Sequence, residues 1–309
     1  MTTYANNHNQ QEELVLALGM FDGVHGGHLA LLQEAASLAR AYGIKSAAHT
    51  FDSHPKGLFG KAPALLNTSA ERRQLLLNAG VDAVYTQVFT PEFAALSPEE
   101  FLETICIAMK IRALVVGFNY TFGHKGAGTS ETLQRMEKRY SYETHVVPPV
   151  LYAGEPISSS RIRDDLESGQ IAAANAMLGY PYTFFGDVVA NKQIGTDLGF
   201  PTANILPPPG KVLPQNGVYS TGAFVDGRLR AAVTNIGTNP TVGGTQVGIE
   251  TNILDYTGNL YGKTLHLRFY ERIRAEKTFS GKEALKAQIA RDVSHAKTFF
   301  ETHRIGENS

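Results

Sequence analysis

Phe21-Asp22-Gly23-Val24-His25-Gly26-Gly27-His28 decides the reading of this chain. An apolar run at residues 14–19 precedes it, and apolar residues three or four apart follow it from 28 to 42, so the stretch joins a strand to a helix. His25 and His28 fall three apart at the helix start with Gly26 and Gly27 between them, so both imidazoles could face one ligand. Glycine lets backbone approach a phosphate closely, and the free N–H groups of a first helical turn carry the positive end of the helix dipole. The plainer alternative is a pair of surface histidines on a turn, or part of a metal pair.

Outward from that turn, short apolar runs at 14–19, 45–51, 83–89, 113–117 and 144–147 read as strands. Amphipathic stretches at 28–42, 69–79, 98–110 and 130–138 read as helices between them. That alternation implies an α/β unit with a parallel sheet covered on both faces. Ligands of such sheets gather at the carboxyl ends of the strands. Phe51-Asp52-Ser53-His54-Pro55 and Gly117-Phe118-Asn119-Tyr120-Thr121-Phe122-Gly123 lie there. Ser158-Ser159-Ser160-Arg161-Ile162-Arg163 adds hydroxyls and two arginines at a helix start, which suits a triphosphate or pyrophosphate. His54 reads equally as a ligand or as a strand-end histidine before a proline.

After a helical pair at 161–167 and 171–177, Gly179-Tyr180-Pro181 marks a change of texture. From 182 to 270 the runs are short, aromatic and β-branched, with turn chemistry at Asp226-Gly227, Asn239-Pro240, Gly243-Gly244 and Thr257-Gly258-Asn259. This predicts a small antiparallel barrel, followed by one long helix over 282–302. In Leu198-Gly199-Phe200-Pro201-Thr202-Ala203-Asn204, a hydroxyl and an amide two apart can reach one magnesium ion; a proline turn into a strand is the plainer reading. Glu250, a carboxylate in an apolar alternating strand, either faces solvent or accepts a proton in a polar site.

The chain has 309 residues, enough for two cores; the expected division is a disordered leader at 1–13 and domains at 14–179 and 180–305. Net charge is -1, with 28 Lys+Arg against 29 Asp+Glu, which gives no basic field for nucleic acid. No apolar run approaches the ~18 residues of a membrane helix, and the polar start lacks a signal-peptide layout, so a cytoplasmic protein is expected. The single cysteine, Cys106, reads as an ordinary buried thiol.

Phe-Asp-Gly-Val-His-x-Gly-His, Gly-Phe-Asn-Tyr-x-Phe-Gly and Ser-Ser-x-Arg-Ile-Arg occur here together and in order. With them the chain resembles the bifunctional riboflavin kinase/FMN adenylyltransferase family, the prokaryotic FAD synthetases, over residues 14–300. The resemblance implies a Rossmann-like nucleotidylyltransferase domain and a β-barrel riboflavin kinase domain with a long terminal helix. It also implies ATP as co-substrate, Mg2+ as cofactor, and riboflavin, FMN and FAD as substrates and products. By that likeness Gly19, Phe21, Asp22, Gly23, His25 and His28 hold the nucleotide, Ser159 and Arg161 close over the triphosphate, and Asn119 sits near flavin and reacting phosphates. In the barrel, Gly195, Gly199 and Pro201 belong to the ATP loop, Thr202 and Asn204 to the magnesium and phosphate motif. Glu250 is the base, and Arg274 and Phe279 lie on a flap near the flavin. The chain departs from the family at Gly26, often a larger apolar residue, and at Ser160, usually Thr. Asn252 stands where His is common, and Asn191-Lys192-Gln193-Ile194-Gly195-Thr196-Asp197 lacks the usual arginines. Lys192 or Lys211 would have to replace those charges. Two alternatives stand beside the bifunctional enzyme: a single-activity paralogue with one impaired site, and a non-catalytic flavin-binding protein.

Overall fold

A computed structural model describes residues 12–60, 62–189, 199–241 and 244–305. The chain forms two compact units, Met1–Ser159 and Ser160–Ser309.

In the first unit β1 (Glu13–Leu18), α1 (Gly26–Tyr42), β2 (Lys45–Phe51), α2 (Ser69–Asn78), β3 (Ala83–Gln87), α3 (Pro91–Ala94), α4 (Pro98–Ala108), β4 (Lys110–Gly117), α5 (Ser130–Tyr140) and β5 (Glu143–Val147) follow in order. All five strands are parallel, ordered β3-β2-β1-β4-β5. A short hairpin, β6 (Leu151–Tyr152) and β7 (Glu155–Pro156), follows. β1 is apolar throughout because both its faces are covered. Leu14, Leu16 and Leu18 pack with Phe101, Leu102 and Ile105 of α4, whereas Val15 and Ala17 pack with Leu31, Leu32 and Ala35 of α1. Helix starts are written locally: Thr68 with Glu71 and Ser97 with Glu100 form reciprocal caps on α2 and α4. Glu13, expected in the leader, begins β1; Glu12 pairs with Lys45 and Glu13 with Lys110, so the neighbouring strands hold both carboxylates. Residues 1–11 lie outside the described residues.

The second unit continues with α6 (Ser159–Glu167), α7 (Ile171–Leu178), β8 (Tyr182–Val189), β9 (Ala203–Leu206), β10 (Gly217–Val225), β11 (Arg228–Thr241), β12 (Gly244–Ile253), β13 (Thr264–Arg274) and α8 (Lys282–Thr302). Its six strands close into an antiparallel barrel, β10-β11-β12-β9-β8-β13. α7 packs on the barrel: Asn175 accepts the Tyr182 N–H at 2.7 Å and donates to the Phe269 carbonyl at 2.9 Å. α8 closes one side, with Ala296 and Val293 against Val218, Val233 and Leu254. Asp226 (φ +51°) and Gly227 (φ +74°) make the tight turn from β10 to β11.

Asn239-Pro240, expected to be a turn, instead lies inside β11, paired with Gln246 and Thr245. A residue before proline is driven to extended backbone, so the dipeptide suits a strand near a hairpin end as well as a turn. Gly243 lies outside the described residues, and Gly244 begins β12.

The barrel wall is closely packed at Gly186, where a Cβ would come within 2.6 Å of the Leu206 carbonyl and run into Ile205. Gly186→Ala should destabilise the second unit by about 1–3 kcal/mol. A calorimetric melt in which that unit's transition does not move would contradict this close approach.

Candidate functional site

The strand order reverses between β1 and β4: the chain proceeds from β1 outward through β2 to β3, then crosses to β4 on the other side. Such a switch point opens a crevice at the strands' carboxyl ends. The turn after β1 and Asn119 after β4 both stand there.

Phe21 (φ +53°), Gly23 (φ +87°) and Val24 (φ +37°) adopt left-handed backbone, and the Val24 N–H closes the turn on the Phe21 carbonyl at 3.1 Å. For a β-branched residue this is costly and requires strong tertiary support. Burial supplies it: Phe21 and Val24 are 0% and 1% exposed. Gly19 makes room, since a Cβ there would sit 3.1 Å from the Phe21 ring. Asp22 is buried, and its carboxylate accepts the N–H groups of Leu66 (2.9 Å) and Asn67 (3.3 Å), while its carbonyl accepts the Ser159 hydroxyl at 2.8 Å.

The turn delivers His25 to the N-cap of α1, where Nδ1 accepts the His28 N–H at 3.4 Å. That bond puts the His25 proton on Nε2. The His25 and His28 rings stack at 3.7 Å and 17°, and Phe21 meets His28 edge-on at 5.2 Å. Gly27 keeps the stack clear, because a Cβ there would lie 3.2 Å from the His25 ring. Burial drives the His25 imidazole from its ordinary 6.5 to about 4. His28 is held well below its ordinary value by burial, then by the repulsion a second proton would meet from a protonated His25 and from Arg72. Two neutral imidazoles beside the first N–H groups of a 17-residue helix form a donor-rich wall for an anion.

Asn119 is exposed beyond β4, with Oδ1 3.6 Å from a Cβ position on Gly117, which itself faces Leu31 of α1. The first unit thus assembles Gly19, Phe21, Asp22, Gly23, His25, His28 and Ser159, with Asn119 across the switch point. Arg161 lies in α6, within the second unit. His54 caps a 3-10 turn, Pro55–Phe59, by accepting the Lys56 N–H at 3.1 Å. Cys106 is part-buried, and burial pushes its thiol up to about 11.

In the barrel, Asn204 of β9, Glu250 of β12 and Asn235 of β11 stand side by side on three adjacent strands. Burial raises the Glu250 carboxyl above its ordinary range. Pro201 and Thr202 line a cavity of about 350 Å³ with Thr251, Tyr256 and Tyr261. The Asn252 amide donates to the Pro201 carbonyl at 2.7 Å and so anchors that turn. Gly199 has φ +84° beside it; Gly195 and the whole stretch 190–198, Lys192 included, lie outside the described residues. Lys211 is buried with its ammonium 5.5 Å above the Tyr182 ring. Arg274 grips Asp292 of α8 through Nε and Nη2 (2.8–3.1 Å), and its guanidinium lies 5.8 Å from the Phe279 ring.

Sequence reading missed Arg72, fully buried beneath the N-terminal turn, and the buried hydroxyl row Thr221, Thr234 and Thr251, linked at 2.7 and 2.9 Å. Arg72 left one signal: an arginine four positions past the Thr68 cap, where an apolar residue is usual.

The fold and the two polar centres define a nucleotide-binding α/β unit joined to a small barrel, and comparison with known proteins agrees. A model of the FAD synthetase family matches residues 7–161, and one of the riboflavin kinase family matches residues 178–300. Proteins named bifunctional riboflavin kinase/FMN adenylyltransferase are similar along nearly the whole chain. That of Listeria monocytogenes is 35% identical, covering 93% of this chain and 92% of the relative. That of Escherichia coli K12 is 36% identical, covering 94% of each. A crystal structure of a Streptococcus pneumoniae protein named for macrolide efflux is 31% identical with TM-score 0.87, covering 96% of this chain and 97% of that one. Among the described residues here, no helix is long and apolar enough to cross a membrane. The chain belongs to the bifunctional riboflavin kinase/FMN adenylyltransferase family.

The depressed histidines carry a stability signature. The folded unit refuses protons that the unfolded chain accepts below about 6.5, so their contribution is complete above that value and erodes as pH falls towards 4. For His25 alone the full effect is on the order of 3 kcal/mol, and buried His49, also lowered to about 4, adds to it. Melting of the first unit should therefore drop steadily from about pH 7 to pH 5; a flat profile would show that these imidazoles are not held neutral.

Proposed function

We propose that the barrel unit phosphorylates riboflavin to FMN and the N-terminal unit adenylylates FMN to FAD, both from ATP, at separate sites. In this reading residues 14–179 serve adenylyl transfer and 180–305 phosphorylation. The two family matches, which leave 162–177 between them, support that division. The observation that carries the first assignment is the stacked, neutral His25–His28 pair at the head of α1.

In adenylyl transfer an FMN phosphate oxygen attacks the α-phosphorus of ATP. The bond from that phosphorus to the bridging oxygen breaks, and pyrophosphate leaves with the electron pair. The chain's task is to position groups and stabilise charge. His25 donates from Nε2 to phosphoryl oxygen, His28 donates beside it, and the α1 amides face the same charge. Gly19, Phe21, Asp22 and Gly23 shape the nucleotide wall, Ser159 and Arg161 bind the triphosphate, and Asn119 orients the flavin phosphate.

In the kinase step Glu250 accepts the proton of the riboflavin hydroxyl as its oxygen attacks the γ-phosphorus and ADP leaves; its raised pKa supports a role as base. Gly195, Gly199 and Pro201 border the ATP phosphates, and Arg274 and Phe279 border the flavin. Thr202, which lines the cavity, and Asn204, two residues on in β9, offer hard oxygen donors, as Mg2+ prefers. Bound there, the ion would offset phosphate charge. Substrates of this kind and the absence of a membrane-crossing helix among the described residues support a cytoplasmic location.

Purified protein given riboflavin and MgATP should yield FMN and then FAD on flavin chromatography; neither product appearing would overturn the reading. His28→Ala should lower FAD formation from FMN by about 10²–10³ and spare FMN formation. Glu250→Gln should lower FMN formation by about 10²–10⁴ and spare adenylylation of supplied FMN. Equal damage to both steps by either substitution would contradict separate sites. Chelation of Mg2+ should stop phosphorylation until the ion is restored; phosphorylation unaffected by chelator would exclude the Thr202–Asn204 assignment.

A further inference from the structure

Asn67 directly precedes the Thr68 cap of α2, and Arg72 is the fourth residue of that helix. Side chains at those two positions ordinarily meet as an apolar pair. Here both are polar and sealed, 2% and 0% exposed. Arg72 Nη2 donates to the carbonyl of Phe51, the last residue of β2. Its Nε and Nη1, and Asn67 Oδ1, have no protein partner among the described residues. Asp22 and Asp52, which follow the carboxyl ends of β1 and β2, favour the guanidinium charge, but burial outweighs them and lowers its pKa. Asp22 in turn holds the Leu66 and Asn67 N–H groups, and Asp52 Oδ1 accepts the N–H of Phe89 beyond β3 at 3.0 Å. Arg72 therefore sits where three strand ends are tied together, and its charge is felt by His28. A buried guanidinium is a poor choice for stability alone, since a well-packed apolar side chain commonly does as well.

We propose that Arg72 is a positioning residue for adenylyl transfer: its Nη2 bond to Phe51 holds the head of α2 on the carboxyl end of β2, where Leu66 and Asn67 grip Asp22, and this fixes the neighbouring Phe21 ring and with it the direction in which His28 faces the phosphates. It acts through His28 and touches neither nucleotide nor flavin. The inference rests on the adenylyl-transfer reading of the His25–His28 wall.

Lysine keeps the charge opposite Asp22 and Asp52 but lacks the planar guanidinium fork. In the full-length chain, Arg72→Lys should lower kcat for FAD formation from FMN about tenfold or more, with KM for ATP and FMN within about twofold of wild type. Riboflavin phosphorylation by the same preparation should be unchanged. A kcat within about twofold of wild type, or a loss confined to KM, overturns the proposal. Should Arg72→Lys not fold, the wild-type chain decides by nitrogen NMR. The Arg72 Nε–H resonance should shift when a non-hydrolysable ATP analogue is added with Mg2+, and an unmoved resonance overturns the proposal. His28→Ala is assayed in parallel. If it leaves FAD formation intact, the site reading fails; if it abolishes FAD formation while Arg72→Lys does not, only the role of Arg72 fails.

Discussion

The burial of Phe21 beneath Gly19 is the constraint on which the N-terminal site depends. Phe21 is fully enclosed, and the chain must turn through left-handed backbone at Phe21, Gly23 and Val24 to place it there. That turn aims the head of α1 at the switch point between β1 and β4 and puts His25 on the cap. The packing that excludes water from Phe21 also desolvates the imidazoles, so one burial event fixes both the geometry and the protonation state of the wall.

The barrel reaches a comparable result by different means. Strand pairing, rather than a strained turn, brings Asn204, Glu250 and Asn235 into one row, and closure of the barrel desolvates the carboxylate. Arg274 illustrates the same economy: its bidentate bond to Asp292 attaches the chain leaving β13 to α8, so the segment running to Phe279 starts from a fixed point.

Much of this was legible in the sequence because the signals were local. The strand at 45–51 and the helix at 282–302 have the bounds expected from periodicity and flanking turns. The placing of His25 and His28 at a strand-to-helix turn was legible from the flanking periodicity, whereas Gly19 entered only through the family resemblance. Asn239-Pro240 misled, since proline favours both a turn and an extended neighbour and only cross-strand pairing decides between them. Arg72 could not be read as a site residue, because its partners Phe51, Asp22 and Asp52 come from other strands and its burial follows from their meeting. The hydroxyl row was hidden for the same reason: each threonine alone is an ordinary strand residue.

That row has a directional property. Thr221, Thr234 and Thr251 are fully enclosed, and each hydroxyl has one proton, so Thr234 in the middle can donate to only one of its two neighbours. If Thr234 donates to Thr251, Thr251 keeps its own proton for another acceptor; if Thr251 donates to Thr234, that proton is spent within the row. The hydroxyl orientations of three neighbouring strands, β10, β11 and β12, are thus coupled through the single proton of Thr234.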